Sequence, residues 1–262
     1  MNRFLAQSID YASQCSYLDD LFQVYPTAPN GLRALNEQIW NNVEYAYNER
    51  NNEELIRSLL KLDLFPIKDS YIAYLKHDKN AIGRNPDTIH RIASEIYNLS
   101  IGELYKKCTF PKESNRQIGP MFKNWIKYTS FGFPVFNMDD FNSTNKDAIL
   151  YANDKEMKDF ANKVLGYNHD KGLDFIARIK NKYVIGEAKF LTDFGGHQNA
   201  QFNDAIATIE SSVNSNVIKI AILDGVLYIK SNNKMYKDIT TKYQDYNIMS
   251  ALMLKTFLYT IR

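Results

Sequence analysis

Apolar side chains recur at Leu32, Leu35, Ile39, Val43 and Tyr47, the three- and four-residue spacing of an amphipathic helix. Similar patterns run through residues 1 to about 128, so this half of the chain reads as a series of helices. Asn52 is placed to cap a helix continuing through Leu60 and Leu62, and Pro66 opens a segment from Ile67 to Leu75. Asn85-Pro86-Asp87 supplies an N-cap, a first-turn proline and an early acid for a helix ending near Leu99. Ser100-Ile101-Gly102-Glu103 has the form of a capping box, and a further helix is expected from Ile118 to Tyr128. The short turn at Asn98-Leu99-Ser100, between Ala93 and Lys106, has the spacing of a helix-turn-helix, whose second helix enters a major groove in proteins that use it so. Short helical hairpins are also ordinary core scaffolding.

Beyond residue 129 the period changes. Phe131 to Phe136 and the polar run Asn137 to Asn145 break helical spacing and mark a loop or subdomain boundary. Asp154 to Leu165 reads as a helix ended by Gly166 at the C′ position. From Leu173 to Ile179 alternation sets Asp174, Ile176 and Arg178 on one face, with Phe175, Ala177 and Ile179 on the other. In the next run Tyr183, Ile185, Glu187, Lys189 and Leu191 alternate with Val184, Gly186, Ala188 and Phe190, and Ala188 faces inward. Lys180-Asn181-Lys182 reads as a tight hairpin turn in which Asn181 takes a positive φ. A two-residue loop at Lys180-Asn181 pairs Asp174 with Glu187; a loop at Asn181-Lys182 pairs Asp174 with Lys189 instead. Both registers gather the three charges on one face. Thr192 to Asn199 forms a glycine-bearing loop before a helix to about Ser212. Val217 to Leu223 reads as a central strand covered on both faces, Asp224-Gly225 as a turn, Val226 to Lys230 as another strand, and Asn247 to Ile261 as a closing helix.

A chain of 262 residues that is 45% hydrophobic can bury a large core, and a net charge of +2 permits nucleic-acid binding only through local clustering of basic side chains. Two cysteines, Cys15 and Cys108, are too few and too far apart for a disulfide framework or a zinc site; both are expected to be buried apolar residues in a reducing compartment. The first residues carry acids at Asp10 and Asp19 instead of an apolar signal region, and no run reaches a membrane span, so the expectation is a soluble, cytoplasmic protein without a membrane partner.

Two carboxylates converging with a lysine suit a hard, oxygen-seeking ion such as Mg²⁺, which keeps several waters and takes one or two protein carboxylates plus a phosphate oxygen. A lysine two residues after the glutamate shares its face and is placed to orient a water or stabilise phosphorane charge. The plain alternative is a solvated hairpin face with a surface ion pair, worth roughly 0–1 kcal/mol. Directly downstream, Gly195 and Gly196 let backbone approach a phosphate at a helix N-terminus. Around them Asp193, His197, Gln198, Asn199, Gln201 and Asn203 concentrate hydrogen-bonding groups suited to phosphates or base edges, or to capping. Glu156 is a candidate third acid, or a solvated helix charge.

Asp174 with Glu187-Ala188-Lys189 resembles the PD-(D/E)xK nuclease superfamily, and the segment from Lys171 to Ala205 is similar to prokaryotic type II restriction endonucleases. The resemblance covers the C-terminal half closely and the helical N-terminal half loosely, and Leu173 stands where the motif has proline. It implies an α/β (α+β) fold with a mixed central sheet flanked by helices, a nuclease core at 129–262, and a helical region at 1–128 for dimerisation or DNA recognition. It further implies Asp174 and Glu187 as metal ligands, the Ala188 carbonyl as a further ligand, Lys189 as the catalytic lysine, and the Asp193–Gln201 loop against DNA. The expected activity is Mg²⁺-dependent cleavage of both strands at a short double-stranded DNA site, leaving 5′-phosphates. A homodimer and a separate protective methyltransferase belong with it. The rival readings are a structure-specific repair or recombination nuclease and a non-enzymatic helix-turn-helix regulator.

Overall fold

The computed structural model describes residues 1–14, 16–26, 32–110 and 117–262, so the expectation for Cys15 lies outside the described residues. Two compact units emerge. One joins Met1–Thr27 to Ser114–Arg262, and the other is Ala28–Glu113. The expected break near residue 128 is therefore displaced. Helices α1 (Arg3–Ala12) and α2 (Tyr17–Val24) bury Leu5, Leu21 and Val24 in the core that holds the sheet. An apolar stripe announces that a helix has a buried face without naming the core that receives it.

The Ala28–Glu113 unit is helical: α3 (Glu37–Asn48), α4 (Asn52–Leu59), α5 (Tyr71–His77), α6 (Ala81–Arg84), α7 (Pro86–Tyr97) and α8 (Ile101–Cys108). Its core gathers Val43, Leu55, Ile56, Leu59, Ile92, Ile96 and Leu104. Helix α3 begins later than the apolar spacing alone implies, because the Asn36 side chain caps it by accepting from Ile39 N at 3.1 Å. The cap of α4 is Asn51, one residue before Asn52. Both halves of the Ser100/Glu103 capping box are present. Cys108 is buried, and burial pushes its thiol up to about 12, well away from reactive thiolate chemistry.

In the other unit, α9 (Ile118–Thr129) precedes β1 (Val135–Phe136), α10 (Met138–Ser143), β2 (Ala148–Leu150), α11 (Asp154–Val164), β3 (Phe175–Ile179) and β4 (Lys182–Leu191). Then come α12 (Gly196–Glu210), β5 (Val217–Gly225), α13 (Lys234–Thr240), β6 (Ile248–Met249) and α14 (Leu254–Ile261). Among the described residues the strands form one six-stranded sheet in the order β1-β2-β3-β4-β5-β6. The β2–β3 and β3–β4 pairs are antiparallel and the others parallel, so the sheet is mixed, as expected for this α/β class. Its faces carry separate cores. Phe175, Ala177, Val184 and Ala188 join α1, α2 and α9, whereas Ile176, Ile185 and Leu173 join α10, α11 and Tyr167.

Three local expectations fail for physical reasons. The positive φ of the hairpin sits on Lys180 (51°), not on Asn181, because the Asp147 carboxylate accepts the Lys180 N–H at 2.6 Å. Asp224 and Gly225 are not a turn but the end of β5; Gly225 then takes φ 101°, and the expected strand at Val226 becomes a short 3-10 turn over Val226–Tyr228. The expected helix Asn247–Ile261 is divided, since Ile248 and Met249 pair with Ala221 and Ile222 as an edge strand before α14 begins. An apolar run four to six residues long has no period that separates strand from helix. Arg178, read as part of a polar face, is buried instead. Its guanidinium donates to Lys146 O and Phe141 O at 3.0 and 2.9 Å and lies over the Phe141 ring, tying α10 to the sheet.

Candidate active site

The hairpin has the register in which Phe175 faces Gly186 and Ile179 faces Lys182, which carried one step further sets Asp174 opposite Glu187. The ladder does not take that step regularly. Asp174 N donates to Gly186 O at 3.1 Å, and the Asp174 Oδ2 accepts from Ala188 N at 3.0 Å, so the carboxylate itself fills the next ladder position. This fixes the Asp174 side chain with a backbone donor at the point where β3 ends.

On β4, Lys189 Nζ lies 2.6 Å from Glu187 Oε1 and 3.9 Å from Asp174 Oδ2. The side chains of Asp174, Glu187 and Lys189 are only 12%, 8% and 23% exposed, which removes the reading of a solvated hairpin face. Buried charges of this kind persist when they are paired and hydrogen-bonded. Burial raises the Asp174 carboxyl above its ordinary value, Lys189 and the Ala188 N–H pull it back, and the Glu187 charge adds to the rise. For Lys189, burial works downward, but the Asp174 and Glu187 charges outweigh it and raise the ammonium, so this lysine is a fixed cation at neutral pH.

Several residues at the site carry no motif signal. Thr208, fully buried on α12, donates to Glu187 Oε2 at 3.0 Å. In the sequence it is a hydroxyl on the same helical stripe as Ala205 and Ile209, and a polar residue on an apolar stripe is the signal that marks it. Gly119, in the first turn of α9, comes so close that a Cβ there would stand 3.2 Å from Asp174 Oδ1. One residue on, Pro120 begins the lining of an open cleft of about 440 Å³, which also includes Lys123, Asn124, Tyr151, Asn153, Asp154 and Glu156. Lys123 pairs with Asp154 there and pulls the Asp174 carboxyl downward. Glu156, the candidate third acid, thus lines this cleft, while its Oε2 caps α11 by accepting from Asn153 N at 3.0 Å.

The loop after β4 divides into exposed and inward-turned members. Asp193, Gly195, Gly196 and His197 are exposed, and His197 Nε2 lies 3.1 Å from Gln201 Nε2. Asn199 and Gln201 are half-buried, and Asn199 donates to Phe194 O and Gly195 O at 3.1 Å each. Gln198 corrects an expectation. It is 5% exposed, its Oε1 accepts from Thr192 N at 3.2 Å, and it braces the loop instead of facing outward. The glycines are not needed for the backbone, since a Cβ at Gly196 would meet nothing within 4 Å and one at Gly195 only an ordinary contact at 3.6 Å.

Two carboxylates beside one lysine, with the Ala188 carbonyl on the intervening residue, fit a hydrated divalent ion better than a fully protein-ligated one. Among the described residues no three His, Cys, Asp or Glu side chains converge on one point. Among the described residues no helix is long and apolar enough to cross a membrane.

A family model described as Tsp45I type II restriction enzyme matches residues 2–261. Comparisons with curated proteins and with solved structures returned no match. The family match runs through the helical unit as well as the sheet, including the N-terminal half that the motif resemblance covers loosely.

Proposed function

Because this chain belongs to the Tsp45I type II restriction enzyme family and is a site-specific deoxyribonuclease, we propose that it cuts both strands of a short DNA site with Mg²⁺, using Asp174, Glu187 and Lys189. The observation that carries this assignment is the buried meeting of the Lys189 ammonium with the Glu187 and Asp174 carboxylates at the end of a hairpin. Such restriction enzymes generally use a divalent metal. Membership of a site-specific family sets aside the structure-specific nuclease and the non-enzymatic regulator.

In this reading Asp174 and Glu187, with the Ala188 carbonyl, hold the ion. Mg²⁺ supplies, when bound, polarisation of the phosphoryl oxygen, a more acidic water and compensation of charge on the departing oxygen. Asp174 is held for its part by the Ala188 N–H, which leaves Oδ1 free of that bond. Lys189, permanently charged between the two acids, donates to the attacking water or to the developing phosphorane oxygen from a largely buried position, where such a donor acts more strongly than in bulk water. The exposed N–H groups at the start of α12, with Asp193, Gly195, Gly196 and His197, form the backbone surface for a DNA phosphate. Asn199 and Gln201 stand behind them. Cutting two strands calls for two sites, so we assign a homodimer on a two-fold DNA target, 5′-phosphate ends, a cytoplasmic setting and a separate methyltransferase that protects the host.

Plasmid digestion in Mg²⁺ tests the assignment. Wild-type protein is expected to give discrete bands with mappable 5′-phosphate ends, and Asp174→Ala and Glu187→Ala to give none while still retaining a labelled cognate duplex in Ca²⁺. Near-normal cutting by either variant moves the chemistry away from this hairpin.

A further inference from the structure

The two oxygens of Glu187 have different surroundings. Oε1 lies 2.6 Å from Lys189 Nζ, on the side of Asp174, whereas Oε2 accepts from Thr208 Oγ1 at 3.0 Å inside the protein. Thr208 has one hydroxyl hydrogen and two acceptors within reach, Glu187 Oε2 and the carbonyl of Asp204 at 3.3 Å. The carboxylate is closer and charged, so it takes the hydrogen. That leaves the Thr208 oxygen able to accept.

Tyr167 stands behind it. Gly166, at φ 68°, ends α11 in the left-handed conformation, and a Cβ there would meet Asn214 Oδ1 at 2.4 Å, so only glycine makes the turn that delivers Tyr167 into the core. The Tyr167 side chain is 2% exposed, and among the described residues its hydroxyl has no hydrogen-bond partner. Burial raises this phenol, Thr208 works against the rise, and the Glu187 charge adds to it. A buried hydroxyl left unpaired is costly, and the Thr208 oxygen, still able to accept, is the partner we assign to it.

We propose that Thr208 and Tyr167 are a positioning pair for Glu187. Tyr167 donates to Thr208, Thr208 donates to Oε2, and the carboxylate is thereby held in the rotamer that presents Oε1 toward Asp174. The proposal rests on Glu187 being a metal ligand. Hydrogen bonds behind a ligand fix its orientation, and their loss typically lowers metal affinity about 10–100-fold. Neither residue touches the substrate; both act through Glu187.

The test compares Thr208→Val, which keeps the shape and removes the hydroxyl, with Thr208→Ser, which keeps the hydroxyl, and with Tyr167→Phe. Two quantities are read on the full-length protein: the Mg²⁺ concentration at half-maximal cleavage, and the rise in melting temperature on titrating Ca²⁺ without DNA. Thr208→Val is expected to raise the half-maximal Mg²⁺ concentration roughly tenfold or more and to weaken the Ca²⁺-induced rise in parallel. Thr208→Ser is expected to return both to within about threefold of wild type, and Tyr167→Phe to fall between, on the same scale. A lower melting temperature in Thr208→Val with wild-type metal dependence overturns the proposal, because a merely structural threonine behaves that way. If Thr208→Val does not fold, wild-type metal dependence in Tyr167→Phe overturns the pair. Glu187→Ala run alongside separates the two levels: normal cutting by it removes the site itself, whereas its inactivity beside a metal-indifferent Thr208→Val removes only the pair.

Discussion

Asp224 gives a stability prediction that can be worked from the structure. It is fully buried at the end of β5, where it stands opposite Phe190 of β4, next to the pair formed by Lys189 and Leu223. Its carboxylate accepts from Ala251 N at 3.1 Å, from Tyr25 at 3.0 Å, from Tyr17 at 3.4 Å and from the Ser250 hydroxyl. The Tyr25 ring stacks on Phe190 at 5.3 Å and 4°. The cluster thus fastens α2 and the chain before α14 to the sheet end that carries the candidate site. Burial lifts this carboxyl from 3.8 to about 6 despite its four donors. In unfolded chain it titrates near 4, so between about pH 4 and pH 6 the folded protein holds more protons than the unfolded one. Stability from this group is therefore complete below pH 4 and is lost as pH rises through 6. At about 1.36 kcal/mol for each pH unit between the two values, the loss is about 3 kcal/mol. Asp224→Asn removes the titration and leaves every other group in place. Urea unfolding of both proteins at pH 4, 5, 6 and 7 should show wild type losing about 3 kcal/mol relative to the variant across that range, whatever the constant offset from altered hydrogen bonds. A difference that stays flat with pH refutes the reasoning.

Three further predictions concern the site. Lys189→Met should lower cleavage about 10²–10³-fold. Because Lys189 holds the Asp174 carboxyl down, the residual pH–rate profile should also move to higher pH, and an unshifted profile would show that the lysine does not govern the acid. Gly195→Val fits the fold, with φ −69° and only one ordinary contact, so its melting temperature should stay close to wild type while affinity for a cognate duplex in Ca²⁺ drops roughly tenfold. Unchanged affinity at fixed salt would mean that DNA does not approach this loop. Gly119→Ala places a methyl 3.2 Å from Asp174 Oδ1, and a displacement of a few tenths of an ångström there should cost on the order of tenfold in kcat/KM without loss of stability. Wild-type turnover in this variant would show that the carboxylate has slack.

The local parts of this protein were legible from neighbouring residues alone, because the rules that set them act over a few positions. Alternation through Asp174, Ile176 and Arg178 and through Glu187 and Lys189 located both strands of the hairpin, and a two-residue loop brought the three charges together. The Ser100/Glu103 capping box and the Gly166 stop needed only their own neighbours. Tertiary structure decided what depends on partners distant along the chain. Lys180 took the positive φ because Asp147 captured its N–H, Gln198 turned inward because Thr192 offered both a donor and an acceptor, and Ile248-Met249 became a strand because β5 had an open edge. Thr208 and Gly119 reach the site from α12 and α9, 21 residues after Glu187 in one case and far before Asp174 in the other. Nothing in their immediate neighbours encodes those contacts. Burial was also out of reach of the pattern: alternation gives a face, but only packing on both sides of the sheet excludes water from it, and that exclusion turns three ordinary surface charges into an ion cluster with a raised aspartate and a fixed lysine.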